Sequence, residues 1–311
     1  MGTYFFTPTT SGDVVNPTPA QLAFLQGMSG APVLPFLSRR NAVSLTNKLA
    51  PMNNFGRYET RGEGLGPNPR QLSKGLEVTA AQHKLHGSTV VSQEGQIALQ
   101  MAMAGGLLEY MVSMGKGYAW SEHDIIMDYI ANDALTGTWQ SFGVPFYSAS
   151  QPIYGSSAVR SNRLSSDLDA TAFKTAITML DEMKGYDGEY NRQVARFLGV
   201  PSNAGPDAIE LCKSLNRMSV GTTSIDANGF GLSGPSFIGM ANVEPFSTPS
   251  IDDDDRWLLF GDGFKVEVFW VAPTMPKLEV LQGSEDVIIS DNPIIQVLIH
   301  DQCAAIGGGP A

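Results

Sequence analysis

The chain has 311 residues, only 16% of them charged, and its formal net charge is −11 at neutral pH. This acidity argues against tight binding of nucleic acid, because phosphate contacts need clustered lysine and arginine and the sole basic dipeptide is Arg39-Arg40. Soluble domains average about 25% charged residues, so the shortfall predicts that copies of the chain cover much of its surface. No apolar run approaches the ~20 residues of a transmembrane helix, and we expect no contact with a membrane.

The first 55 residues are predicted to form an arm rather than a domain. Six prolines interrupt this segment, and its apolar residues follow no period that would build a core. A short helix is predicted from the N-cap Thr18 to Gln26, with Pro19 at its first helical position. We therefore expect the arm to pack against another surface.

Residues 56–94 are predicted to form a long β-hairpin. Arg57–Arg61 is strand-like, Leu76–Thr79 and Ser88–Ser92 alternate with period two, and glycines and prolines between residues 62 and 69 make a loose tip. An isolated hairpin is marginally stable in water, so we expect a neighbouring subunit to support it.

A long amphipathic helix is predicted at about residues 94–115. Its apolar face repeats at intervals of four, three, four and three residues and consists of Ile97, Met101, Ala104, Leu108 and Met111. Gly115 and Gly117 are predicted to end this helix. Ser121–Asp124 resembles a capping box that opens a second helix, which places His123 at the surface.

Two further helices and a strand are predicted in the middle of the chain. One helix follows the cap Ser165–Leu168 and reaches about Met183, and its inner face is formed by Leu168, Ala172, Phe173, Ala176, Ile177 and Leu180. Residues 194–200 are predicted to be a strand. A fourth helix opens at Pro206-Asp207, with an apolar face of Ile209, Cys212 and Leu215.

The last 60 residues are predicted to be mostly strands. These strands are Trp257–Phe260, Lys265–Trp270, Lys277–Leu281 and Ile294–Ile299, and the acidic patch Ser284–Asp286 lies between the last two. Their ends carry no nucleophile–base pair, although strand ends are where an enzyme usually places its chemistry. Helices and strands mix without βαβ alternation, which predicts the α+β class and indicates a scaffold that assembles.

The cysteines and histidines are too scattered to indicate a site. Cys212 and Cys303 each lie in an apolar stretch, which predicts buried free thiols in a reducing compartment. His83 and His86 are three residues apart, but no third ligand follows nearby, so we predict no metal site there.

Two other patterns are interpreted as structural. Gly229–Gly234 matches the G-x-G-x-x-G string but lacks the strand and helix that a phosphate-binding loop requires. Asp252–Asp255 is interpreted as a solvated loop, with a divalent cation between subunits as the alternative. We predict no catalytic, cofactor-binding or metal-binding residues and no cofactor.

Several short stretches follow one another in an order known from a family of shell proteins. They are Leu76–Thr79, Phe142–Ser148, Phe197–Pro201, Trp257–Phe260, Ala272-Pro273, Leu278–Leu281 and Ser284–Val287. In this order the chain resembles the major capsid protein of tailed double-stranded DNA phages, which has the Hong Kong 97-type fold, and most of all the Mu-type head subunits. The resemblance covers roughly residues 55–306.

The resemblance implies a division of the chain into the parts of a Hong Kong 97-like capsid fold. Residues 1–55 would be the N-arm and 56–93 the E-loop hairpin. Residues 94–148 and 265–306 would form the peripheral domain with its long spine helix. Residues 149–264 would form the axial domain, and 307–311 a C-terminal tail.

The resemblance also implies a structural role without catalysis. The chain would assemble as hexamers and pentamers into an icosahedral shell that encloses double-stranded DNA without sequence-specific binding. It would belong to the virion capsid after assembly in the host cytoplasm, with many copies of itself as partners. Scaffold, portal and decoration proteins stay open as further partners.

Two alternatives stay open at this point. An encapsulin-type compartment shares the fold but encloses enzymes, and an α+β hydrolase or transferase would instead show a pocket with shifted titratable groups. Some capsid relatives crosslink subunits through a lysine and an asparagine. Lys74 and Lys84 lie in the proposed hairpin, but no partner is evident, so this chemistry is not carried over.

Overall fold

The structure, a computed structural model, describes residues 19–30, 34–42, 48–49, 78–79, 81–92, 107–132, 145–153, 158–185, 188, 190–217, 243–271, 277–281, 285–299 and 304–309. In chain order its α-helices are α1 (Pro19–Met28), α2 (Leu107–Met127), α3 (Ala170–Asp181) and α4 (Gly205–Arg217). Its strands are β1 (Leu37–Ala42), β2 (Lys48–Leu49), β3 (Val78–Thr79), β4 (Ala81–Ser92), β5 (Gln151–Pro152), β6 (Val159–Arg160), β7 (Ala195–Pro201), β8 (Glu244–Thr248), β9 (Trp257–Gly261), β10 (Val266–Val271), β11 (Lys277–Leu281), β12 (Glu285–Ile299) and β13 (Ala305–Gly308).

The chain divides into two compact units. The first comprises residues 1–47, 80–126 and 266–298, and the second comprises 48–79, 127–265 and 299–311. Helices and strands occur in both units, and the predicted α+β class is confirmed. Among the helices that the structure describes, none combines the length and hydropathy needed to cross a bilayer.

The first unit contains a five-stranded sheet. β1 pairs with β10 in parallel, and β12 pairs antiparallel with both β11 and β4. The acidic residues Glu285 and Asp286 are predicted to lie between strands. They lie inside β12, opposite Ser92 and Val91, so this part of the prediction is wrong. The cause is a strand longer than its apolar segment, because pairing with β4 continues past Ile294 towards the acidic end.

The N-terminal segment packs on its own chain in the part that the structure describes. α1 forms as predicted, and Phe24, Leu34 and Phe36 are buried. The amide of Val266 donates to the Phe36 carbonyl at 3.1 Å, at the start of the ladder between β1 and β10. The polar sequence of β1 carries no strand signal, so this strand is absent from the sequence prediction.

α1 crosses α2 at two glycines. A Cβ on Gly27 would overlap the carbonyl oxygen of Val112, and a Cβ on Gly115 would overlap that of Phe24. Gly115 therefore lets two helix backbones come together. It does not end α2, so the sequence prediction of a helix end at this residue is wrong. α2 also continues through Gly117, whose Cβ position has no neighbour within 4 Å among the residues that the structure describes.

The predicted capping box lies in the middle of α2. The Ser121 hydroxyl donates to the Gly117 carbonyl at 2.9 Å, a bond within the helix rather than a cap. Glu122 and His123 are buried, so the surface position predicted for His123 is wrong. α2 then passes into a π-helical turn at Asp128–Asn132.

The predicted apolar face of α2 is correct at Met111 and wrong at Leu108. Met111 is fully buried, whereas Leu108 is 44% exposed. Residues 94–106, which include Ile97, Met101 and Ala104, lie outside the described residues. So do Arg57–Arg61, Lys74, Phe142–Val144, Gly229–Gly234 and Cys303.

The second unit contains a four-stranded sheet in the order β13-β9-β7-β8. α3 packs its predicted inner face into the core of this unit, with Ala172, Phe173, Ala176, Ile177 and Leu180 all buried. Its N-cap is Asp169, whose carboxylate accepts from the Ala172 amide at 2.6 Å. The cap therefore begins a few residues later than the sequence predicted.

The end of the chain belongs to this sheet. Residues 304–309 are buried, and β13 pairs antiparallel with β9. Gly307 and Gly308, predicted as the start of a tail, press on the rings of Tyr147 and Trp257, where a Cβ would overlap the ring atoms. A run of small residues without periodicity gives no strand signal, and these contacts depend on distant aromatic rings.

β7 and α4 form close to their predicted positions. On α4, Ala208 and Cys212 face the core, but Ile209 is 43% exposed, which corrects its predicted place on the apolar face. The thiol of Cys212 is buried and free, as predicted.

Candidate assembly determinants

The buried charges of the first unit converge on β1. Arg39 Nε donates to Glu122 Oε1 at 2.6 Å, and the Glu122 side chain is only 1% exposed. Burial raises the pKa of Glu122, and the positive charge of Arg39, with hydrogen bonds from Arg39 and Trp270, opposes that rise. The Arg39 guanidinium therefore holds a carboxylate that water does not reach.

A second ion pair involves the neighbouring arginine. Arg40 Nη2 lies 3.1 Å from Glu267 Oε1, and here the Arg40 side chain is 60% exposed while that of Glu267 is 5% exposed. Successive side chains of a strand point to opposite faces, so the dipeptide directs one guanidinium to each face of the sheet. Both members of the sole basic dipeptide are thus engaged within the chain, in agreement with the argument against phosphate binding.

Two other polar side chains lie near this pair on α2. The hydroxyl of Tyr118 is buried and has no hydrogen-bond partner among the described residues, and burial together with the nearby Glu122 raises its pKa. His123 packs edge-on against Trp120, with ring centroids 5.5 Å apart, and burial lowers its pKa. The edge-on contact with Trp120 gives His123 a packing role.

The acidic run Asp252–Asp255 forms an exposed turn. Asp253 Oδ1 accepts from the Asp255 amide at 3.1 Å, and its carbonyl accepts from the Arg256 amide at 3.2 Å. Arg256 Nη2 lies 3.9 Å from the Asp253 carboxylate. Within the described residues, no three His, Cys, Asp or Glu side chains are placed to hold a metal ion. The exposure of this turn supports the solvated-loop interpretation, which stays a prediction.

Arg256 joins two distant segments of the second unit. Its Nη1 donates to the carbonyl of Ala131, in the π-helical turn that follows α2. The guanidinium places positive charge where a helix end leaves carbonyls without partners. Sequence reasoning missed this residue, because the two groups are 125 positions apart.

An open groove lies at the beginning of β7 and β8. It has a volume of about 680 Å³ and is lined by Arg196, Phe197, Val243, Glu244, Pro245 and Asp262. Its described lining contains no serine, cysteine, histidine or lysine that could act as a nucleophile. Its ionisable side chains are Arg196, Glu244 and Asp262.

A family model described as phage capsid protein matches residues 77–290, about two thirds of the chain. The chain belongs to the phage capsid protein family. The predictions of a major capsid protein and of a structural rather than enzymatic role are confirmed. The encapsulin alternative has less support, because the matching family is a phage family. The narrower resemblance to Mu-type head subunits stays a prediction.

Solved capsid structures share the fold of this capsid protein at low sequence identity. The capsid of cyanophage P-SCSP1u matches with a TM-score of 0.53 and 12% identity, over 89% of this chain and 86% of that one. The capsid of Ralstonia phage GP4 matches with a TM-score of 0.51 and 13% identity, over 88% and 86%. A chain of the satellite phage P4 procapsid matches with a TM-score of 0.51 and 9% identity, over 98% and 92%.

These matches are to phage capsids, and the predicted Hong Kong 97-like fold is confirmed. A search of curated proteins finds no match to the sequence.

Proposed function

We propose that this capsid protein assembles as hexamers and pentamers into an icosahedral shell that encloses packaged double-stranded DNA. The observation that carries the proposal is the capsid family match over residues 77–290. The engagement of Arg39 and Arg40 within the chain supports a wall that holds DNA by enclosure rather than by phosphate contacts. We further propose that assembly takes place in the host cytoplasm.

We propose the following parts for the capsid subunit. Residues 1–55 serve as the N-arm, 56–93 as the E-loop, 94–148 and 265–306 as the peripheral domain, and 149–264 as the axial domain. α2 is the described part of the spine helix. The position of β1 and β10 in one sheet supports an N-arm that is fastened to the peripheral domain in residues 37–42.

Shell geometry gives a reason for the low charge of the subunit. Rings arise when one surface patch binds a different patch on the next copy and the rotation closes. The buried centres of such contacts are depleted in charged residues. Scaffold, portal and decoration proteins are further proposed partners, none of which changes the prediction that the subunit itself builds the wall.

The first test is to express the chain alone, fractionate it by size exclusion and examine the void volume by negative-stain electron microscopy. We expect closed shells, rings or tubes of uniform curvature. The core variant Met111→Asp is a control for misfolded aggregate, because it places an unpaired charge at a fully buried position. A folded monomer at every concentration and in the presence of a crowding agent would contradict self-assembly.

A further inference from the structure

The strand β1 lies at one edge of the five-stranded sheet and has a polar sequence. Its six residues are LSRRNA, so only Leu37 and Ala42 are apolar. Register is weakly specified where a strand lacks an apolar face. The position of β1 therefore needs another cause.

Two carboxylates of the same chain supply that cause. Glu122 on α2 pairs with Arg39, and Glu267 on β10 pairs with Arg40. Both carboxylates are buried, and a buried charge without a partner is strongly destabilising. The pair of Glu122 with Arg39 is the more buried of the two ion pairs, because the Arg39 side chain is only 26% exposed whereas that of Arg40 is 60% exposed.

We propose that Glu122 is a lock that holds β1 docked in its own subunit, with the Arg39–Glu122 pair fixing the register of β1 against β10. The lock acts within one folded chain, so it goes beyond shell formation and does not depend on it.

The alternative registers fail for different reasons. A slip by one residue would turn Arg40 towards Glu122, but it would also displace Leu34 and Phe36, which are buried just upstream. A slip by two residues would keep the faces and bring Leu37 or Asn41 to the place of Arg39. Glu122 would then be left without its cation, so the buried carboxylate disfavours these registers in addition to the displacement of Leu34 and Phe36.

The segment before β1 is attached to the same helix. Gly27 of α1 lies against Val112, and Gly115 lies against Phe24, so α1 packs on α2 without intervening side chains. α2 therefore carries both the platform for α1 and the carboxylate that receives Arg39. α1 therefore packs on α2, and β1 is held by both α2 and β10.

Trypsin tests the lock directly, because β1 contains two cleavage sites, after Arg39 and after Arg40. Cleavage needs an extended segment released from the sheet, so its rate follows the population of the undocked state. Glu122→Gln keeps the shape of the side chain and removes its charge. We expect cleavage in β1 to become roughly 10-fold faster, because the variant removes the ion pair and leaves only the partly exposed Arg39 without its counter-charge. The matched control is Glu109→Gln, the same change at an exposed position of α2, and it should leave the rate unchanged.

A second site separates local release from general unfolding. Lys174 lies on α3 in the second unit, and cleavage after it reports opening of that unit. A selective increase at Arg39 and Arg40 supports the lock. Equal acceleration at Lys174, or no acceleration in β1, overturns it.

A double-mutant cycle tests whether the pair itself is the cause. In Arg39→Gln, Glu122→Gln and the double variant, cleavage after Arg40 stays measurable. We expect the double variant to be cleaved more slowly than the product of the two single effects requires, because removing both partners leaves no buried charge. Effects that simply multiply would show that the two residues act separately and would refute the lock.

Discussion

Substitution of Gly115 by alanine tests the crossing of α1 and α2. The added Cβ would overlap the Phe24 carbonyl oxygen and come within 2.9 Å of its carbon and 3.1 Å of the Met28 amide nitrogen. These atoms belong to the backbone of α1, so they cannot move aside as a flexible side chain would. Either α1 separates from α2 or both helices distort, and overpacking of this kind costs about 1–3 kcal/mol.

Gly117→Ala is the matched control, on the same helix and two residues further along. Its Cβ would have no neighbour within 4 Å in the described part of the chain. Both variants gain the same helix propensity, about 0.5–1 kcal/mol for glycine to alanine, so the difference between them isolates the clash. We expect Gly117→Ala to be more stable than the wild type and Gly115→Ala to be about 1–3 kcal/mol less stable than Gly117→Ala.

The assay is urea unfolding of the unassembled subunit, followed by circular dichroism. A shift of the midpoint without a change of slope reports stability alone. If Gly115→Ala is as stable as Gly117→Ala, the two helices do not meet at this residue. The reading of Gly115 as a contact glycine would then be refuted.

Three further predictions concern the core, the thiol and the acidic turn. Met111→Ala should cost about 2–5 kcal/mol in urea unfolding and Leu108→Ala less than about 1 kcal/mol, because only Met111 is fully buried; equal losses would contradict this. Burial raises the pKa of Cys212 to about 11, so its thiolate fraction falls, and iodoacetamide at mildly alkaline pH should label it much faster after denaturation than before. Replacing Asp252–Asp255 with asparagine should leave assembly intact, as should EDTA on the wild type; loss of particles in both would indicate a cation site.

Elements with strong local periodicity were predictable from the sequence. The buried face of α3 and the strand Lys277–Leu281 agree with the prediction, because each signal lies within one element. The apolar run of β9 likewise marks a strand buried on both faces. Family membership could also be inferred early, since it depends on the order of short stretches along the chain.

Glycines show why local signals are not sufficient. Gly115 and Gly117 carry the same signal of a helix end, yet a second helix crosses at Gly115, whereas Gly117 has no described neighbour within 4 Å of its Cβ position. Gly307 and Gly308 are predicted as the start of a C-terminal tail but lie against two aromatic rings. In each case the structural role of the glycine depends on a segment that is far away in the sequence.

The ion pairs of β1 depend on such distant segments even more strongly. Arg39 and Glu122 are 83 positions apart, and neither carries a local signal that names its partner. Composition and periodicity set the fold class, the main buried faces and the scarcity of charge, because these follow from the hydrophobic effect and the period of each element. The partner of each buried charge and the place of the polar strand β1 follow from chain topology, since a buried carboxylate is stable only where the fold brings a cation to it.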